Sequence, residues 1–131
     1  MKRPTLLLWE HDGRLASWLR PWASIHGCLF RQPRTAPEAL SELALAQPGV
    51  LVLRLGHEVE AELALLAQAT IGLPHACVFA VLDSDPALAS LAWDLGARWV
   101  LPLSRARDEL PSLLTDWFRP VENKGHAPAD R

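Results

Sequence analysis

The chain has 131 residues, 50% of them hydrophobic and 21% charged, with a net charge of -2. That is the size of one ordinary domain with ample apolar material for a core, which excludes wholesale disorder and collagen-like chains. The near-neutral balance offers no positive field for phosphate backbones, so nucleic-acid binding is not expected.

The first strand-length apolar run is Thr5 to Trp9. It is too short for the apolar region of a signal peptide, so no export signal is expected. The stretch after it places Leu15, Trp18, Leu19, Trp22 and Ile25 on one helical stripe, with Pro21 inside as a source of kinking and Gly27 as the stop. Cys28 to Arg31 reads as a short second strand. Thr35 and Glu38 form a capping box that opens an Ala- and Leu-rich helix, which Pro48 and Gly49 end. Val50 to Leu55, broken by Arg54, is the most apolar strand and belongs at the centre of a sheet.

Glu58, Glu60 and Glu62 suit the positive end of a third helix, which Gly72 and Pro74 close. Ala76 to Leu82 is the fourth strand. Ser84, Asp85 and Pro86 then start a helix whose core face carries Leu88, Leu91, Ala92 and Leu95, with Gly96 as its stop. Arg98 to Leu101 makes the fifth strand, and Leu110, Leu113, Leu114, Trp117 and Phe118 form the apolar face of the last helix. Residues 1–118 are expected to form the domain, and the polar, breaker-rich stretch 119–131 a flexible tail. Cys28 and Cys77 stand far apart without a CxxC pair, which fits a reducing, cytoplasmic setting. No apolar run approaches the roughly 20 residues of a membrane span, so no membrane association is expected.

Five βα units predict a parallel sheet covered on both faces, and such sheets bind ligands at the carboxyl ends of their strands. Those ends hold Glu10, His11 and Asp12, then Arg54 to His57, then Leu82 to Ser84, then Leu101 to Ser104. The order LLLWEHD, PGVLVLRLG, ACVFAVLDSD and GARWVLPLS over residues 5–118 resembles a response-regulator receiver domain of the CheY-like superfamily. The resemblance implies a flavodoxin-like (βα)5 doubly wound three-layer sandwich, with a five-stranded parallel sheet in the order 2-1-3-4-5.

Receivers of this kind carry an acidic pair for magnesium after the first strand and a phosphate-accepting aspartate ending the third. A Ser or Thr ends the fourth, and Lys-Pro follows at the fifth. Here Glu10 and His11 take the acidic-pair positions, with Asp12 beside them, and Arg54 stands at the phosphoacceptor position. Leu101 precedes Pro102 where Lys-Pro is expected, Val81 or Leu82 lies near the hydroxyl position with Ser84 close by, and the only lysines are Lys2 and Lys124. A guanidinium cannot accept a phosphoryl group. The pattern therefore resembles a degenerate, phosphorylation-independent pseudo-receiver, with Glu10, His11, Asp12, Arg54, Ser84, Leu101 and Pro102 as the altered pocket.

Arg54 is expected to pair with Glu10 or Asp12, because an unpaired buried charge is costly. The alternative is an anion or small-molecule sensor built on Arg54 with Glu10, Asp12 and Ser84. An active phosphoacceptor at Asp12 or Asp83 lacks the required surroundings. His11 and His57 near Glu10 or Asp12 admit a transition-metal reading, although their spacing is no known ligand motif and no metal is expected. Neither a nucleophile elbow nor a Gly-rich phosphate loop is present, so neither catalysis nor a cofactor is expected.

The aromatic set is six tryptophans and no tyrosine. Trp93 lies off the centre of the fourth helix's core face and is the candidate exposed anchor. With Trp99 and Trp117 it falls on the face of fourth helix, fifth strand and fifth helix through which receivers resembling this one dimerise or meet partners. The expected function is a protein-protein interaction and signalling adaptor in two-component signalling, whose partner is another signalling protein or a second copy.

Overall fold

The structure is a computed structural model that describes residues 4–46 and 48–118. Its elements alternate in the order β1 Thr5–Trp9, α1 Ala16–Ile25, β2 Leu29–Arg31, α2 Ala36–Leu45 and β3 Gly49–Leu55, followed by α3 Val59–Gly72, β4 Cys77–Leu82, α4 Ala87–Asp94, β5 Trp99–Pro102 and α5 Leu103–Trp117. The five strands are parallel in the order β2-β1-β3-β4-β5. This is the predicted flavodoxin-like sandwich. All seven residues of β3 are buried, as its continuous apolar run requires of a central strand covered on both faces.

Side-chain alternation along the strands divides the core in two. Leu6, Leu8, Val50, Val52, Phe79 and Leu101 pack against α1 and α5. Leu7, Leu51, Leu53, Leu55, Val78 and Ala80 pack against α2, α3 and α4. Arg54 has the same parity as Val50 and Val52, so it faces the α1/α5 side, at the carboxyl rim where the apolar layer ends.

Two expected core residues are exposed. Ile25 is 79% exposed and Leu91 46%, while Leu19 and Ala23 form the buried stripe of α1 and Leu88 and Ala92 that of α4. Ile25 stands two residues past Ala23, about 200° around a helix of 3.6 residues per turn, so it points away from the sheet. Helix α1 runs through Pro21, and α5 likewise contains Pro111 and begins directly after β5. Thr35 Oγ1 accepts from the Glu38 backbone N–H, while the Glu38 carboxylate reaches the Arg34 N–H, one residue before the reciprocal partner of a standard capping box. Residues 119–131, expected to form a flexible tail, lie outside the described residues.

Candidate functional site

The register sets the site. Trp9 pairs with Leu53, Arg54 with Val81, and Val81 with Leu101, so Arg54 projects beside the residues that follow β1 and β4. Its side chain is 3% exposed and its guanidinium is enclosed by three carboxylates. Nη1 donates to Glu10 Oε2 at 3.0 Å and to Asp12 Oδ1 at 2.9 Å. Nη2 donates to Asp12 Oδ2 at 3.3 Å and lies 2.6 Å from Asp83 Oδ1, to which Nε donates at 2.7 Å. The expected pairing with Glu10 and Asp12 is present, and Asp83 completes it.

Each carboxylate is fixed by its own local structure. Glu10, whose side chain is fully buried, accepts the Leu15 and Ala16 N–H groups at 3.0 and 2.8 Å, so it binds the start of α1 and Arg54 together. Asp12 accepts the Arg14 N–H and lies 3.4 Å from the Arg14 Nε. The backbone N–H of Asp83 donates to the Leu55 carbonyl, which carries the β3–β4 ladder one step beyond the strand. Gly56 follows with φ 145°, and a Cβ there would meet the Asp83 Cβ at 2.8 Å, so only glycine lets the turn after β3 pass this carboxylate. Behind that turn, the buried Glu62 carboxylate accepts the Gly56 and Glu58 N–H groups.

The electrostatics follow from one buried guanidinium, Arg54, among three carboxylates, with the exposed Arg14 beside Asp12. The hydrogen bond from Arg54 holds the Asp12 carboxyl down at about 2, outweighing the opposing effect of burial. Burial works against the charge on Arg54, but the hydrogen bonds it donates to Asp12 and Asp83 outweigh that and raise the guanidinium above its ordinary value. A depressed acid contributes stability above its unfolded value and loses it on protonation. The stabilisation from Asp12 is therefore complete above about pH 4 and disappears between about pH 4 and pH 2. Urea unfolding across that window should show a fall that Asp12→Asn flattens, and an equally steep fall in the variant would assign acid sensitivity to other groups.

The structure gathers part of the sequence-derived pocket and disperses the rest. Glu10, Asp12 and Arg54 meet. His11 borders this cluster, with Nε2 3.8 Å from Asp12 Oδ2, while its ring is stacked on His57 at 4.0 Å and 12°. The nitrogen lone pairs of stacked imidazoles lie in parallel planes and do not converge on one ion. Among the described residues, no group of three or more His, Cys, Asp or Glu side chains is arranged to hold a metal. The two histidines instead line a cavity of about 480 Å³ with Trp9, Arg34 and Glu58.

Leu101 is buried in the α1/α5 core, whereas Pro102 is exposed at the end of β5. Ser84 lies with Pro102 in a separate groove beside α4. Trp93 and Trp99 are exposed and meet edge to face at 6.4 Å, while Trp117 is half-buried against the core under the Arg98 guanidinium. The sequence reading did not pair Asp83 with Arg54, although a signal was available: Asp83 stands two residues beyond Val81 and so returns to the face of its register partner, Arg54.

The fold is that of CheY-like receiver domains. A response regulator receiver domain protein from Methanospirillum hungatei superposes with a TM-score of 0.71 at 14% identity, over 88% of this chain and 94% of that one. The signal receiver domain of a DNA-binding response regulator (MerR) from Colwellia psychrerythraea gives 0.72 at 16% identity, over 88% and 98%. A CheY-like protein, TadZ, from Pseudomonas aeruginosa gives 0.72 at 25% identity, over 88% and 99%. No family model and no curated protein matches the sequence. No helix among the described residues is long and apolar enough to cross a membrane.

The magnesium that the receiver resemblance implies does not fit these residues. A hard divalent cation needs open carboxylate oxygens, and here the carboxylates already close on a fixed guanidinium at 2.6 to 3.3 Å. The anion-sensor alternative meets the same obstacle. Every nitrogen of the Arg54 guanidinium already faces a carboxylate oxygen, so none is open to an incoming anion.

Proposed function

We propose that this chain is a receiver-like signalling domain whose output does not depend on aspartyl phosphorylation, and that it acts as a non-enzymatic protein-protein interaction adaptor. One observation carries the reading: Arg54, the penultimate residue of the central strand, has its guanidinium held by Glu10, Asp12 and Asp83. That arrangement joins the loops after β1, β3 and β4 through a permanent internal cation. It removes both the carboxylate that would take a phosphoryl group and the space for a divalent ion. The interaction face is formed by α4, β5 and α5, with Trp93 and Trp99 exposed on it and Trp117 supporting it from the core side. The partner is another signalling protein or a second copy of the chain.

Trp9 precedes Glu10 directly and reports on the site. Titration with magnesium and beryllofluoride should leave the intrinsic fluorescence unchanged, and incubation with acetyl phosphate and magnesium should give no phosphoryl adduct by intact mass. A saturable fluorescence change or a stoichiometric adduct on Asp12 or Asp83 would overturn the reading.

A further inference from the structure

Two depressions flank Trp93 on the face made by α4, β5 and α5. One, of about 330 Å³, has an apolar floor that includes Leu82, Ala89, Val100 and Pro102; of its two acidic lining residues Asp83 is held by Arg54, which leaves Asp85, and no basic residue lines it. The other, of about 420 Å³, shares Trp93 and Val100, adds Trp99 and Leu113, and is edged by Asp108 and Glu109. Its one basic lining residue, Arg105, is bound to Glu109 at 2.7 Å, so Asp108 keeps its charge uncompensated by any ion pair found among the described residues. Both depressions thus combine apolar floors with net negative rims, on either side of an indole that is 47% exposed.

Trp93 and Trp99 meet edge to face with 70° between their planes, which leaves ring surface open to solvent. The face of an indole attracts cations, most strongly Arg and Lys, and the surrounding carboxylates add to that attraction. A long cationic side chain also matches an apolar floor with an acidic mouth, because its methylene stem packs while its head reaches the rim.

We infer that this double groove takes a segment of a partner protein that presents Arg or Lys next to an aliphatic or aromatic side chain, with the cation against Trp93 and the acidic rim. The inference rests on the reading of the chain as an interaction adaptor and specifies the chemistry of its partner. A second copy fits less well, since a symmetric contact through this face would set two net negative grooves against each other.

The test is selection of a random dodecapeptide library on the full chain, followed by fluorescence-polarisation affinities for the enriched peptides. The expected consensus pairs Arg or Lys with Leu, Ile or an aromatic residue. Trp93→Ala should weaken these peptides at least tenfold, and Asp85→Asn with Asp108→Asn severalfold, with thermal midpoints close to that of the parent. The two Asn substitutions keep the proposal testable should Trp93→Ala prove unstable, and Asn at position 85 retains the acceptor for the Ala87 N–H.

A consensus without basic residues, affinities indifferent to these variants, or no enrichment at all would overturn the inference. So would concentration-dependent self-association that Trp93→Ala abolishes, which would make a second copy the occupant and leave the adaptor reading intact. The adaptor reading itself fails separately, in the beryllofluoride and acetyl phosphate experiments.

Discussion

Replacing Arg54 with alanine should lower the unfolding free energy by about 3 kcal/mol, measured by urea denaturation, and millimolar magnesium or calcium should restore part of that loss in the variant alone. Removing one partner of a buried ionic cluster typically costs about 3–5 kcal/mol because the remaining charges lose compensation. The lower end applies here: the side chains of Asp12 and Asp83 are 28% and 25% exposed and can turn towards water, whereas Glu10 cannot. Once the guanidinium is gone, Glu10, Asp12 and Asp83 present converging oxygens to a hard cation, and a ligand that binds only the folded state stabilises it by mass action. In the parent chain the guanidinium already occupies that position, so the same cations should leave its unfolding curve in place. A loss below about 1 kcal/mol would place Arg54 among ordinary surface ion pairs. Cation stabilisation of the parent protein would show that the carboxylates are open and would undercut the proposed function.

The architecture was legible because a parallel sheet covered on both faces imposes a simple pattern: short, continuously apolar strands separated by longer segments at helical spacing. PGVLVLRLG and ACVFAVLDSD state it plainly, and β3 and β4 are fully buried. Helix faces were less legible, because hydrophobicity alone does not say which residue lies closest to the sheet. In α4 the innermost position belongs to Ala92, whose small side chain permits close approach, and the larger Leu91 is displaced towards solvent. Proline interrupts neither α1 nor α5. In both helices apolar residues on either side of the proline, Leu19 and Ala23 in one and Leu110 and Leu114 in the other, are anchored in the core, and that packing offsets the lost hydrogen bond.

The site was half legible. Strand order brings the ends of β1 and β3 together, so the encounter of Arg54 with Glu10 and Asp12 followed from topology and from the cost of burying a lone charge. Asp83 required side-chain parity across β4, which the composition of the strand end does not advertise. Ser84, the more obvious hydroxyl in that turn, has the opposite parity and lies in the groove with Trp93. Leu101 shares the face of Arg54 but stands two strands away, with Val81 between them, and an aliphatic side chain there belongs to the α1/α5 core.

Glu10→Ala should destabilise the chain by about 3 kcal/mol and Glu10→Gln by about 1–2 kcal/mol, since Glu10 performs two tasks with one carboxylate. Alanine leaves the Leu15 and Ala16 N–H groups without acceptors at the start of α1, each worth about 1–3 kcal/mol when water cannot reach it. The exposed neighbours Gly13 and Arg14 admit some water, which favours the lower figure. Alanine also strips Arg54 of its most buried partner, leaving Asp12 and Asp83. Glutamine keeps one acceptor oxygen, but its amide group must face either the helix N–H groups or the guanidinium, donor against donor. A double-mutant cycle with Arg54→Ala separates the two tasks. If both operate, the pair should couple by about 1–3 kcal/mol, while Glu10→Ala in the Arg54→Ala background should still cost about 1 kcal/mol for the lost helix contacts. Zero coupling would reduce Glu10 to a helix-binding residue that Arg54 merely adjoins. A vanishing residual cost would mean that the Glu10 carboxylate serves Arg54 alone and that water replaces it at the start of α1.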